Sequence, residues 1–128
     1  MHTHIISTTT TSPQVRIKCS DFVKKIAVYR NRLAVQLPER VLIYELAASA
    51  DPFDLQYRIK DKIQKKLDCS LLVVTSSHVI LCIECKLQLF SFAGQKEKEW
   101  IMDAPIRYIK VTGGAPGGEG LLVGLKGE

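Results

Sequence analysis

Three places in the chain combine residue types that do chemistry. Cys82-Ile83-Glu84-Cys85 has the spacing of half a zinc site, since two thiolates three positions apart can share one tetrahedral ion. The other cysteines, Cys19 and Cys69, lie far apart and neither belongs to a second such pair. The expectation is therefore an apolar Cys82 in a strand and a Cys85 in a turn, with no metal and no other cofactor. The run Gly113-Gly114-Ala115-Pro116-Gly117-Gly118-Glu119-Gly120 has the composition of a phosphate loop. Such a loop needs a following helix, whose first amides meet the anion, and here a strand-like GLLVGL follows. Glu119 would also repel phosphate, so a flexible inter-strand loop is expected. His78 falls in a turn, with no carboxylate or nucleophile partner evident along the sequence. Ser-His-Asp spacing, an H-E-x-x-H helix and paired carboxylates are all missing, and an enzyme is not expected.

Charge is distributed unevenly. The net charge is +5, but Val15 to Lys66 carries twelve Lys and Arg against six Asp and Glu, whereas Leu67 to Glu128 carries six against seven. Lys24, Lys25, Arg30, Arg32, Arg58, Lys60 and Lys62 are the candidate partner-contact residues. They suit an acidic protein surface, anionic lipid head groups or, less well, nucleic acid, for which no recognition helix or aromatic RNA-binding motif is present. The competing expectation is a solvated strand face whose charges block edge-to-edge pairing.

These residues need elements to position them. The chain has 128 residues, of which 46% are hydrophobic and 24% charged. That balance excludes disorder and a dense disulfide scaffold. The longest apolar run, Val79 to Ile83, is far short of the ~20 residues of a spanning helix. Residues 1–14 have no apolar segment of signal-peptide length and are expected to be a disordered leader, which makes an intracellular, reducing compartment the default.

The apolar pattern repeats. A shift of 46 positions lays Ile26–Leu46 (IAVYRNRLAVQLPERVLIYEL) on Leu72–Phe92 (LVVTSSHVILCIECKLQLFSF) without a gap. Three short apolar segments and two polar turns keep their lengths, although almost no residue is identical. Nearly continuous apolar runs predict strands covered on both faces. In the third segment Val41 and Ile43 face one way and Leu42, Tyr44 and Leu46 the other. A charged fourth strand follows each trio, Tyr57–Ile63 and Lys96–Asp103. In the first, Tyr57, Ile59 and Ile63 are expected on one side; a helix capped by Asp51-Pro52, with Leu55, Ile59 and Ile63 in line, is the alternative. Ile106–Thr112 and Gly120–Leu125 begin a third copy.

The fold class is therefore all-β, with antiparallel four-stranded blades of a WD40-type β-propeller at the period such blades use. About two and a half blades are expected, at 22–66, 67–104 and 105–128. A ring of this size would not close, so both outer sheets are expected to expose apolar faces, and the chain alone to be prone to aggregate. Trp100 is expected to pack between neighbouring sheets.

Whole phrases of this sequence resemble a known family. Val15–Leu46 (VRIKCSDFVKKIAVYRNRLAVQLPERVLIYEL), Lys96–Trp100 (KEKEW) and Ile106–Lys126 (IRYIKVTGGAPGGEGLLVGLK) look like the WD-repeat region of intraflagellar transport complex A subunits. The resemblance runs from Val15 to Lys126. It implies a fragment of a longer non-enzymatic scaffold, acting in retrograde intraciliary transport, cilium assembly and protein localisation to cilia. It also implies other complex A subunits as partners, ciliary membrane-protein cargo indirectly, and a location at the cilium, its basal body and the cytoplasm. No Trp-Asp dipeptide occurs in these blades, so the repeat rests on period and pattern.

Overall fold

The computed structural model describes residues 2–6, 13–47 and 56–127. They form twelve strands and no helix: β1 (His2–Ile6), β2 (Pro13–Lys18), β3 (Lys25–Tyr29), β4 (Arg32–Gln36), β5 (Val41–Ala47), β6 (Gln56–Ile63), β7 (Leu71–Val74), β8 (His78–Ile83), β9 (Lys86–Ser91), β10 (Lys96–Ile101), β11 (Ile106–Gly113) and β12 (Gly120–Leu125). β3-β4-β5-β6 make one four-stranded antiparallel sheet and β7-β8-β9-β10 a second, while β11-β12 and β1-β2 are two-stranded. This is the all-β blade architecture expected from the repeat. The first strands of successive sheets, β3, β7 and β11, lie side by side along the inner edge.

Two-residue turns set the registers. Tyr29 pairs with Arg32 across Arg30-Asn31, and Ile83 with Lys86 across Glu84-Cys85. In each turn the first residue is left-handed, Arg30 at φ 52° and Glu84 at φ 54°. That geometry matches the right-handed twist of the flanking strands, at some backbone cost for a residue other than Gly.

Alternation then assigns faces. Ala34, Val41, Ile43 and Ile63 of the first sheet meet Leu72, Val74, Val79, Leu81 and Phe90 of the second. The opposite side chains of the first sheet, Leu33, Val35, Leu37, Leu42 and Tyr44, pack with Ile17 of β2 and with Cys19. The opposite side of the second sheet, Ile80, Cys82 and Leu87, packs with Ile106 and the half-buried Ile109, Leu121 and Val123. The central strands β4 and β8 are buried on both faces, which is why they read as unbroken apolar runs.

Three expectations need correction. Residues 1–14 are not simply an unstructured leader: His2–Ile6 is a strand, paired antiparallel with β2 from Lys18 back to Pro13. The short HTHII segment, too weak to propose a strand alone, gains its hydrogen bonds from that partner. For the same reason the outer face of the first sheet is only partly bare: β2 covers it at Leu33, Leu42 and Tyr44, while Ile26 and Val28 stay exposed as expected. Finally, Tyr57–Ile63 is strand, but its apolar residues do not share one side. The β5–β6 register shifts between Ile43 and Tyr44, which pair with Asp61 and Ile59 and leave Lys60 as the extra residue. The bulge turns Tyr57 toward the β2 side and Ile63 toward the second sheet. Asp51-Pro52 and Leu55, on which the alternative helix depended, lie outside the described residues.

Candidate functional site

The seven basic candidates are not gathered on one surface. Lys24 and Lys25 sit where β3 begins, and Arg30 and Arg32 flank its other end. Arg58 and Lys62 lie toward opposite ends of β6, three strands away at the sheet edge. Several are engaged within the chain. Lys24 Nζ lies 3.3 Å from Asp68 Oδ1. Arg32, largely buried, donates from Nη1 to Glu45 Oε1 at 2.9 Å and from Nε to the Ser76 carbonyl at 3.2 Å. That hydrogen bond, and the charge behind it, hold the Glu45 carboxyl below its ordinary range. Arg30 lies over the Tyr29 ring at 5.1 Å and reaches the Gly114 carbonyl at 3.5 Å. Arg58, Lys60 and Lys62 remain exposed on the outer edge strand.

The Gly-rich loop is held in place rather than loose. The Glu119 carboxylate accepts from the Ser76 amide at 3.2 Å and the Gly117 amide at 3.1 Å. The Gly117 amide also donates to Ser76 Oγ at 3.0 Å. Burial alone would raise the Glu119 carboxyl, but the Ser76 hydroxyl and the neighbouring amides outweigh it and hold the group below its usual range. Within the loop the Gly117 amide is thus taken by this carboxylate, and the Gly118 amide donates to the Ala115 carbonyl.

His78, for which the sequence showed no partner, has two. Its Nε2 lies 2.9 Å from Glu97 Oε1 and its Nδ1 lies 2.9 Å from Ser77 Oγ. A serine, an imidazole and a carboxylate in that order have the outline of a nucleophilic triad. The second requirement, free donors for an oxyanion, is not met by the neighbouring amides. Ser77 and His78 both donate their amides to Thr75 Oγ1, at 3.3 and 3.0 Å, and the Ser76 amide goes to Glu119. The group holds the β7–β8 turn against β10. No signal in the sequence could have paired His78 with Glu97, because the contact reaches across the intervening strand β9.

Cys82 is buried in β8 and its thiol is pushed up to about 11, by burial and then by the nearby Cys69. Cys85 is half-buried in the turn that follows. Cys69 instead points its sulfur at Gln36 Oε1, 3.8 Å away, and the buried Gln36 amide donates to the Leu67 carbonyl.

What the fold leaves open is an apolar groove of about 490 Å³ between the second sheet and the two-stranded third. Leu87, Leu89, Trp100 and Met102 line one wall, Leu121 and Val123 the other. Trp100 does lie between sheets, but only partly covered.

The whole chain, residues 1–128, matches the family described as the IFT122 second beta-propeller. It is 64% identical over 116 residues to the intraflagellar transport protein 122 homolog of Homo sapiens, a match covering 91% of this chain and 9% of that protein. The homologs of Mus musculus and Danio rerio are 62% and 59% identical over 116 residues, again 91% of this chain and 10% of each protein. The chain thus spans about a tenth of the length of these curated relatives. A solved structure of BBS1N in complex with ARL6DN superposes with a TM-score of 0.63 at 18% identity, covering 97% of this chain and 40% of that one. At that identity the likeness carries the fold alone.

Proposed function

Since the chain belongs to the IFT122 second beta-propeller family, we propose that it is a scaffold segment of an intraflagellar transport complex A subunit, without catalytic activity, serving retrograde intraciliary transport, cilium assembly and the delivery of proteins to cilia. Its partners are other subunits of that complex, with ciliary membrane proteins as indirect cargo, and it works at the cilium, the basal body and the cytoplasm. The observation that carries this reading is the 64% identity to an intraflagellar transport protein over nearly the entire chain. Partner contact runs through the exposed basic edge of β6, Arg58, Lys60 and Lys62, since Arg32 and Lys24 are already occupied by Glu45 and Asp68.

The test is co-purification. A tagged full-length relative carrying this region, expressed in ciliated cells, recovers the other complex A subunits. The same protein with Arg58, Lys60 and Lys62 reversed to Glu recovers at least one of them less well. Failure of the unaltered protein to recover any subunit overturns the scaffold reading; equal recovery by both forms overturns only the basic-edge contact.

A further inference from the structure

The two four-stranded sheets end in corresponding outer strands, β6 and β10, each with an edge that no described strand pairs. Both edges are charged, but in different ways. On β10 the charges are settled within the sheet. Lys96 Nζ lies 3.6 Å from Glu99 Oε1, Glu97 meets His78 at 2.9 Å, and Gln88 donates to Glu99 at 2.8 Å. Lys96 and Lys98 balance Glu97 and Glu99. On β6, Arg58, Lys60 and Lys62 stand against a single acid, Asp61, and the three cations are exposed while Asp61 is half-buried. Glu45, the residue opposite Arg58, is already bound by Arg32 at 2.9 Å. The ion pairs among the described residues, Lys24–Asp68, Arg32–Glu45, His78–Glu97 and Lys96–Glu99, include none of the three. An edge that only has to repel other edges needs no such surplus, because β10 is guarded by balanced charge.

The placement of the three cations defines the shape of anion that meets them all. Residues directly opposite on paired strands share a face. Arg58 is opposite Glu45, on the Val41 and Ile43 face that meets the second sheet, whereas Lys62 is opposite Leu42, which packs toward β2. Lys60 is the extra residue of the bulge and lies between them. From Arg58 to Lys62 the strand advances roughly 13 Å, at about 3.3 Å per residue. A flat bilayer touches one face of such a strand and not the other. An extended polypeptide alongside β6 has the same alternation, so it sets carboxylates against both faces while its main chain pairs with the free edge. Ile59, 44% exposed and opposite Tyr44, adds an apolar contact on the Lys62 side. A second β6 edge carries the same surplus and is repelled.

We propose that β6 takes an acidic, extended segment of a partner protein as a fifth strand of the first sheet. Arg58 and Lys62 hold carboxylates on opposite faces of the added strand, and Lys60 holds one near its middle. This rests on the basic-edge contact stated above and gives that contact its partner chemistry.

Fluorescence anisotropy of a labelled peptide of alternating Glu and Thr, titrated with the full-length protein used for co-purification, tests this. The peptide should bind, and added salt should weaken it. Reversing Arg58, Lys60 and Lys62 to Glu should lower the affinity about tenfold, since three exposed pairs turn from attraction to repulsion, with circular dichroism unchanged. Lys96→Glu with Lys98→Glu on β10 should leave the affinity unchanged. The same peptide with alternate amides N-methylated keeps its carboxylates but loses main-chain donors, and should bind no better than the wild-type peptide binds the reversed protein. Equal binding of the methylated peptide overturns the added strand. No binding of either peptide overturns the proposal as well; if the reversed protein still loses a subunit in co-purification, the basic-edge contact stands and belongs to a folded acidic surface. Phosphatidylserine vesicles that bind through β6 when the peptide does not overturn it in favour of a membrane.

Discussion

The seam between the first and second sheets and the seam between the second and third are built from the same kinds of residue, yet they differ in burial. In the first, four strands face four. Val41, Ile43, Ile63, Val74, Val79 and Leu81 are all at most 1% exposed. In the second, four strands face two. Ile80 and Cys82 are fully buried opposite β11 and β12, but Leu89, Met102, Leu121 and Val123 are only half covered. Burial here follows the number of strands opposite, not the hydrophobicity of the residue. Leu89 of β9 is as apolar as Leu81 of β8 and contributes less, because less of the molecule stands in front of it.

Matched truncations sharpen that contrast most. Leu81→Ala empties a closed site and should cost about 2–5 kcal/mol in urea unfolding. Leu121→Ala, on the open seam, should cost roughly 1 kcal/mol, since a half-buried side chain gives up only part of its transfer energy and leaves no sealed cavity. Equal costs would erase the distinction. The next effect concerns the polar insert of the closed seam. Gln36→Ala strips the Leu67 carbonyl of its donor and the Cys69 thiol of its acceptor. It should cost about 1–3 kcal/mol by the same measurement.

Cys82 reports on the second seam by pH. Its thiol ordinarily ionises near 9.0 and in the fold is pushed up to about 11. The folded chain therefore keeps a proton that the unfolded chain releases. The stability this represents is complete below the unfolded value and is lost as pH rises from about 9 to about 11. Over that window the melting temperature of the wild type should fall more steeply than that of Cys82→Val. In the native chain at pH 8, iodoacetamide should label Cys85 well before Cys82. The smallest effect belongs to the rim. Glu119→Gln should change stability by about a few tenths of a kcal/mol, because the carboxylate is nearly at the surface. It should nonetheless speed hydrogen exchange at the Ser76 and Gly117 amides. In the unaltered chain the same amides should loosen as pH falls through the depressed Glu119 value, the sign expected of a carboxyl stabilised in its charged form.

Much of the architecture was legible because β4 and β8 are buried on both sides, so their composition declares them strands, and because the turns between strands kept their lengths in both copies. Legibility failed where pairing rather than composition decides. β1 has too few apolar residues to announce itself and exists through β2. The β6 bulge was invisible, since one inserted residue changes no composition and yet sends Ile63 to the opposite face from Tyr57. The candidate surface was least legible. Seven basic residues look like a cluster when counted along the chain, but the sheet spreads them over its two ends and its outer edge. The contacts between His78 and Glu97 and between Ser76 and Glu119 join segments 19 and 43 residues apart, distances at which spacing carries no information.

The hairpin tips have a mechanical consequence. Arg32 binds the Ser76 carbonyl, Ser76 is gripped by Glu119 and Gly117, and Arg30 reaches Gly114, so the tips of three successive sheets are tied in series. Nearer the outer edges the first two sheets share one such tie, the Lys65 ammonium donating to the Gly94 carbonyl at 2.6 Å, and strain applied there is carried inward to this knot. The sheets then behave like the leaves of a fan fastened at the rivet. They can spread at the rim to admit or release a neighbour while the fastened end keeps its alignment.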